Sequence, residues 1–188
     1  MSKQVNLVIF ASGSGTNAEN IVNYFAQHPT IDVKEIFSNR EDAFVHQRAR
    51  KLDIPSRSFS RSEFADVSFL ESLEGIEYII LAGFLWLIPS YLVAAFPDRI
   101  INIHPALLPK FGGKGMYGTN VHEAVIAAGE PESGITIHLV NHEYDKGRVL
   151  FQDKCIVGSA ETADSLAEKV HALEYEHFPK VIEDYVLK

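Results

Sequence analysis

The sequence has one cysteine, Cys155, among 188 residues. No disulfide can close within the chain and no cysteine-rich zinc site can form, so a reducing compartment is the simplest setting. Long apolar runs are missing too. The stretch from Val5 to Phe10 is interrupted by Asn6 and is too short for a membrane span or a secretory signal. A cytoplasmic protein with no membrane partner is expected. Positive charge is scarce: 17 Lys and Arg against 25 Asp and Glu give a formal charge of -8, so the overall field repels polyanions and no nucleic-acid partner is expected. Pro- or Ser-rich linkers, internal repeats and charge blocks are also absent. One domain spanning residues 1–188 is expected, with enough apolar residues for a substantial core.

What is present is an alternation of two periods. Gln4 to Phe10 is a β-branched apolar run that stops at Ala11-Ser12-Gly13-Ser14-Gly15, and Asn17 to Phe25 follows with helical spacing at Ala18, Ile21, Val22 and Phe25. This pattern predicts strand, glycine turn, helix. Val33 to Phe37 reads as a second strand, Ala43 to Leu52 as a helix, and Ile79 to Ala82 as a buried strand ended by Gly83. Ile100 to His104 is another strand, stopped by Pro105, which cannot donate to a ladder. Pro105 to Gly118 has no apolar period and reads as a long loop of the kind that carries function; Thr119 to Ala128 returns to a helix. Gly134 to Val140 alternates in period two, and Arg148 to Val157 follows after the short connection Asn141 to Gly147, which favours an antiparallel hairpin at the sheet edge. A last helix begins near Thr162 with a stripe at Leu166, Val170 and Leu173, and Pro179 is expected to kink or split it. The fold class is therefore α/β in three layers, a mostly parallel sheet with an antiparallel C-terminal hairpin.

Two places carry chemistry. Gly13-Ser14-Gly15-Thr16-Asn17 lies between a strand and a helix, where backbone N–H groups and the helix dipole favour an anion, with phosphate the natural ligand. Its spacing also fits the dinucleotide fingerprint, with Ala18 in the last place. An NADP-dependent reductase using the Gly13–Ala18 loop, with Arg40 on the 2′-phosphate, is thus an alternative, although Ser38-Asn39-Arg40 stands where an acidic residue should close the second strand. A tight turn that needs glycine only for its backbone angles is the plainer reading. Asn102 and His104, two apart on a strand, leave the same face of the sheet at its carboxyl end, where open α/β sheets bind ligands. Histidine moves protons near neutrality and a side-chain amide can donate to a developing oxyanion, so the pair suits addition to a carbonyl. No serine lies in a nucleophile elbow, and Cys155 lies within a predicted strand beside apolar neighbours, so covalent catalysis is not favoured. His122, His138 and His142 lack the spacing of metal ligands; structural or surface roles, and no metal, are expected for them.

These residues, with two more segments, resemble a known family. Ser12-Gly13-Ser14-Gly15-Thr16-Asn17, Leu81-Ala82-Gly83-Phe84, Asn102-Ile103-His104-Pro105-Ala106-Leu107-Leu108-Pro109 and Asp145 before Gly147 together are similar to the phosphoribosylglycinamide formyltransferases, in order from about residue 5 to about residue 180. Methionyl-tRNA formyltransferase and formyltetrahydrofolate deformylase resemble the middle of the chain but carry extra domains for which 188 residues leave no room.

The resemblance implies a Rossmann-like formyltransferase fold. It also implies transfer of a formyl group from 10-formyltetrahydrofolate, a cosubstrate and not a tightly bound cofactor, to the amine of glycinamide ribonucleotide in purine synthesis. The protein would be a monomer or a homodimer with small-molecule substrates. Gly15, Thr16 and Asn17 would hold the ribonucleotide phosphate, and Glu174 its ribose. Asn102 would polarise the formyl oxygen, His104 as an imidazolium would stabilise the oxyanion, and Asp145 would raise the histidine's pKa and relay a proton. By spacing alone, Asp145 before Lys146-Gly147 is a turn residue. Leu85, Trp86, Leu87 and Ile88 would form the folate slot with Asn102, and the backbone of this segment would read the pterin edge. Arg61 would lie near the glutamate tail; Arg61, Lys110 and Lys114 are the candidate local cations. Trp86 stands where many relatives have arginine, and Phe111 to Gly118 is longer than in typical members, which suits a mobile cover over the ribonucleotide. A related transferase acting on another amine, and a formyl-folate-binding protein without catalysis, are the remaining alternatives.

Overall fold

The computed structural model describes residues 4–188. Seven strands form one sheet, in the order β3-β2-β1-β4-β5-β6-β7. β1 (Val5–Phe10) lies between β2 (Ile31–Ser38) and β4 (Tyr78–Leu81), both parallel to it. β3 (Ser56–Ser58) and β5 (Ile100–His104) extend the parallel part, whereas β6 (Glu132–Leu139) and β7 (Val149–Ile156) run antiparallel. The expected class and the edge hairpin are both observed.

Alternation along β1 explains the three layers. Leu7 and Ile9 face one side, with Ile21, Val22 and Phe25 of α1 (Thr16–Phe25) and Leu166, Val170, Phe178 and Ile182 of α6 (Ala163–Val186). Val8 and Phe10 face the other, in a cluster with Phe37, Phe59, Phe64, Phe69, Phe84 and Leu92. A period-two strand covered on both faces has to be apolar throughout, and the run Leu7 to Phe10 is fully buried. Phe10 stacks on Phe37 at 5.3 Å between ring centroids and meets Phe84 edge-on at 5.4 Å, arrangements that favour the aromatic quadrupole.

The stretches between the recognisable segments hold further elements that the periodicity does not disclose. They are β3, the helices α3 (Arg61–Ala65) and α4 (Ser90–Ala95), and a 3₁₀ helix at Val67–Leu73; α2 (Val45–Lys51) and α5 (Thr119–Ala127) lie within the expected helical segments. β3 is Ser-Arg-Ser and has no apolar residue to mark it. Pro179 does not split α6, which runs as one helix from Ala163 to Val186. Proline removes the N–H that would satisfy the carbonyl four residues earlier. That carbonyl, on Tyr175, accepts instead from Asn20 Nδ2 of α1 at 3.0 Å, so a neighbouring helix replaces the missing bond. The start of α6 is as expected: Thr162 Oγ1 accepts from Ser165 N, and Ser165 Oγ accepts from Thr162 N. Among the described residues no helix is long and apolar enough to cross a membrane.

Candidate active site

The carboxyl ends of β1, β4 and β5 open onto a cavity of about 640 Å³. The loop after β1 lines one part of it, Phe84 to Ile88, which follows β4, another, and the end of β5 a third. This is the rim at which α/β sheets bind ligands.

The first end is made of backbone. Gly15 takes a left-handed conformation (φ 74°) to start α1, and a Cβ there would lie 2.3 Å from Val45 Cγ2. Glycine is thus required for both backbone angle and close approach. The loop is braced from α2, where Val45 N donates to Gly13 O at 3.1 Å and Arg48 Nε to Ser14 O at 2.8 Å. Thr16 and Asn17 then present the first N–H groups of a ten-residue helix that has no side-chain cap, an arrangement suited to an anion. Asn17 Nδ2 donates to Glu174 Oε2 at 2.8 Å, while Asn17 Oδ1 is buried without a hydrogen-bond partner. Glu174 is 5% exposed, and its burial pushes the carboxyl pKa up against the opposing pull of Asn17 and His171.

The centre joins four side chains. Asn102 stands opposite His138 and His104 opposite Thr136 in the β5–β6 register. The Phe111 carbonyl lies 2.7 Å from His104 Nε2. Because a carbonyl only accepts, Nε2 carries a proton and Nδ1 faces Asp145 Oδ2 at 3.6 Å. The same reasoning applies to His138: Nδ1 donates to Leu139 O at 2.9 Å, which leaves Nε2 to accept from Asn102 Nδ2 at 3.0 Å. That bond fixes the amide's orientation and leaves its second N–H free to point elsewhere. Asp145 Oδ1 lies 3.5 Å from His138 Nε2, and Asp145 Oδ2 accepts from Gly113 N at 2.9 Å.

Electrostatics in this centre correct one expectation. The Asp145 charge does raise the pKa of His104, but burial outweighs it and the net shift is downward. Burial therefore favours the neutral imidazole. Burial alone would raise the Asp145 carboxyl, yet the neighbouring imidazoles of His138 and His104 and the Gly113 N–H together hold it below its ordinary value. Asp145 is also a turn residue, in the left-handed region at φ 54°. Gly147 closes the turn where a Cβ would lie 1.6 Å from Leu139 O.

The second end is apolar. Leu85, Trp86, Leu87 and Ile88 all line it. Leu85 N donates to Ser12 Oγ at 3.0 Å, which ties this segment to the glycine loop. Among the described residues Trp86, Leu87 and Ile88 make no hydrogen bond through their backbone, so these groups are available to a ligand edge.

Most of the predicted site residues line one cavity: Gly15, Thr16, Asn17, Glu174, Asn102, His104, Asp145 and Leu85 to Ile88. Arg61 does not line it but lies over the Trp86 ring, 4.6 Å from its centroid. Of the other candidate cations, Lys114 lines the cavity and Lys110 pairs with Glu130 at 2.8 Å outside it. Arg40, which a reductase would need, forks onto Asp42 at 3.1 and 2.9 Å. For the other histidines surface or structural roles are expected, and they differ in burial. His138 and His122 are 1% and 3% exposed and both line the cavity, whereas His142 is exposed. The alternation of Thr136, His138 and Val140 was the signal, since it puts His138 on one face of β6, the face it shares with Asn102 in the β5–β6 register.

Comparison with known proteins agrees with this geometry. Residues 5–182 match the formyl transferase family. The chain is 39% identical over 189 residues to the chloroplastic phosphoribosylglycinamide formyltransferase of Arabidopsis thaliana, covering 96% of this chain and 65% of that protein. It is 30% identical over 186 residues to the phosphoribosylglycinamide formyltransferase of Escherichia coli, covering 95% and 85%. The crystal structure of the Streptococcus pneumoniae phosphoribosylglycinamide formyltransferase superposes with a TM-score of 0.85 at 32% identity, covering 99% of each chain. The chain thus spans less than two thirds of the length of its chloroplast relative.

Proposed function

Because the chain belongs to the formyl transferase family, we propose that it moves a formyl group from 10-formyltetrahydrofolate to the amine of glycinamide ribonucleotide, in purine synthesis. The observation that carries this reading is that Asn102, His104 and Asp145 line one cavity together with an anion-binding helix start and an apolar segment. A reaction that joins a phosphorylated amine to a flat, ring-bearing donor needs all three in one place.

The ribonucleotide phosphate sits on the N–H groups of Gly15, Thr16 and Asn17, and Glu174 accepts from the ribose hydroxyls. The pterin enters beside Leu85 to Ile88, using the free backbone groups of Trp86 to Ile88, and Arg61 takes the glutamate tail. The amine then attacks the formyl carbon. The second N–H of Asn102 donates to the oxygen as it becomes an oxyanion, and His138 holds the amide in the orientation this requires. Burial favours the neutral form of His104, and the negative charge of two anionic substrates and the developing oxyanion favours its protonated form. Protonation is thereby linked to occupancy of the site. Asp145 supports the imidazolium and receives the proton lost by the amine, and His104 delivers a proton to the departing folate nitrogen.

The test is formation of deformylated folate, followed by ultraviolet absorbance, from purified protein, glycinamide ribonucleotide and a 10-formylfolate donor. Ribonucleotide-dependent turnover is expected, and His104→Ala should lower it by about 10²- to 10⁴-fold with the fold intact. Near-wild-type turnover in that variant would remove the assignment of His104. Donor binding without ribonucleotide-dependent turnover would point to another acceptor amine.

A further inference from the structure

Arg61 is the first residue of α3, a short helix closed by a capping box in which Ser60 Oγ accepts from Glu63 N and Glu63 Oε2 accepts from Ser60 N. Its backbone is therefore fixed. Its side chain is exposed, and among the described residues it makes no hydrogen bond and no ion pair. The other arginines near this end differ: Arg57 reaches Glu35 at 3.2 Å and Ser72 O at 2.8 Å. The Arg61 guanidinium lies instead over the face of Trp86, 4.6 Å from the ring centroid.

Trp86 is itself immobilised. Its ring lies 6.0 Å from Phe59, 6.0 Å from Phe64 and 6.3 Å from Phe84, at the margin of the buried aromatic cluster. One side of the indole thus belongs to the core, while the residue also lines the apolar end of the cavity. An arginine stacked on an aromatic face keeps its N–H donors in the guanidinium plane, free to fork onto a carboxylate. A long exposed side chain otherwise loses much rotamer freedom when a ligand orders it, so holding it in advance lowers the cost of binding.

We propose that Trp86 is a positioning residue: its indole holds the Arg61 guanidinium at the mouth of the apolar end, and the pair selects donors that carry an acidic tail. This rests on the folate reading given above. The net charge of -8 sharpens it, since the general field repels a polyanionic tail and a single placed cation has to offset that locally.

The experiment compares two donors, 10-formyltetrahydrofolate and the corresponding tetrahydropteroate without glutamate, in the wild type, Trp86→Leu, Trp86→Phe, Arg61→Ala and the double variant Trp86→Leu/Arg61→Ala. The readout is the ratio of kcat/KM for the tailed donor to that for the tail-less one. Arg61→Ala should lower this ratio by about tenfold, the loss expected for a charge-assisted hydrogen bond. Trp86→Leu should lower it by about threefold to fivefold through KM, and Trp86→Phe, which keeps a face, by less. In the Arg61→Ala background, Trp86→Leu should leave the ratio where Arg61→Ala put it, because the two act as a unit. An unchanged ratio in Trp86→Leu, or effects that simply multiply, would overturn the proposal and leave Trp86 as a packing residue. If the wild type gives no ribonucleotide-dependent transfer, the functional reading fails instead. The same ratio is then taken from dissociation constants of the two folates, measured by calorimetry on the same variants, with the same expected and overturning results.

Discussion

The two ends of the cavity are made of different materials. At the anion-binding end the ligand groups are backbone N–H atoms at the start of α1, held by the close contact of Gly15 with Val45 and by bonds from Val45 and Arg48 of α2. At the apolar end the lining is side chain, resting on the aromatic cluster around Phe10, Phe59 and Phe64. Backbone binding groups tolerate almost no change in the residues that shape them, because an added methyl displaces the main chain itself. A lining of side chains tolerates more, because volume can be exchanged with limited rearrangement. One end therefore leaves little latitude, while the other can be tuned.

The strongest challenge to this contrast comes from the centre, where both ends act through one proton-transfer group. Asp145→Asn should lower turnover by on the order of 10²-fold. The Asp145 charge raises the His104 pKa. Its loss should therefore move the limb of the rate profile that belongs to His104 to lower pH, as measured by kcat against pH. An unshifted limb would leave Asp145 as a turn residue only. Next in size, Gly15→Ala should cost about 2–4 kcal/mol of stability in urea denaturation, from the left-handed backbone and the collision with Val45, and should raise KM for the ribonucleotide. Leu87→Ala, at the other end and 43% exposed, should change stability by less than about 1 kcal/mol and raise KM for the folate alone. Equal costs at the two positions would break the comparison.

The smallest expected effect concerns Glu174. Its carboxyl pKa is raised above the ordinary 4.5 mainly by burial. A group raised on folding contributes stability that is fully present below its unfolded pKa and is lost as pH rises through the folded one. Glu174→Gln cannot ionise, so wild-type stability should fall relative to the variant from about pH 4.5 upward, a window set by that ordinary value. Denaturation midpoints at a series of pH values check the sign. A wild type that gains on the variant over the same range would mean that Asn17 and His171 outweigh burial.

Legibility in the sequence follows the same division between local and distant causes. β1, β5 and the hairpin strands were readable because apolar period and punctuation are local, and the glycine loop because its chemistry is contiguous. β3 and α4 were not: the first is a three-residue polar edge strand, and both are held by what they pack on. The continuity of α6 through Pro179 depends on Asn20, which lies 155 residues before Tyr175, and no local pattern carries that. Asn102 and His104 could be read as a pair because they share a strand. The part played by His138 depended on register, since a shift of one residue between β5 and β6 would turn it away from Asn102. The downward shift of the His104 pKa was out of reach, because the balance between burial and a carboxylate 3.6 Å away is a property of packing.

The segment from Phe111 to Gly113 reaches the centre through its main chain, with a carbonyl at His104 Nε2 and an N–H at Asp145 Oδ2. Contacts of that kind depend on where the chain passes and hardly at all on what it carries. Gly112 is the exception, as a Cβ there would lie 2.5 Å from Leu108 Cδ2 and 3.2 Å from Asp145 Cβ. Beyond it, Lys114, Met116 and Tyr117 can change without disturbing the histidine or the carboxylate, whereas Gly113, Gly115 and Gly118 hold left-handed backbone angles (φ 97°, 88° and 56°) that favour glycine, and inserting or deleting a residue between Phe111 and Gly113 would disturb both groups. In this loop length is therefore constrained more tightly than composition.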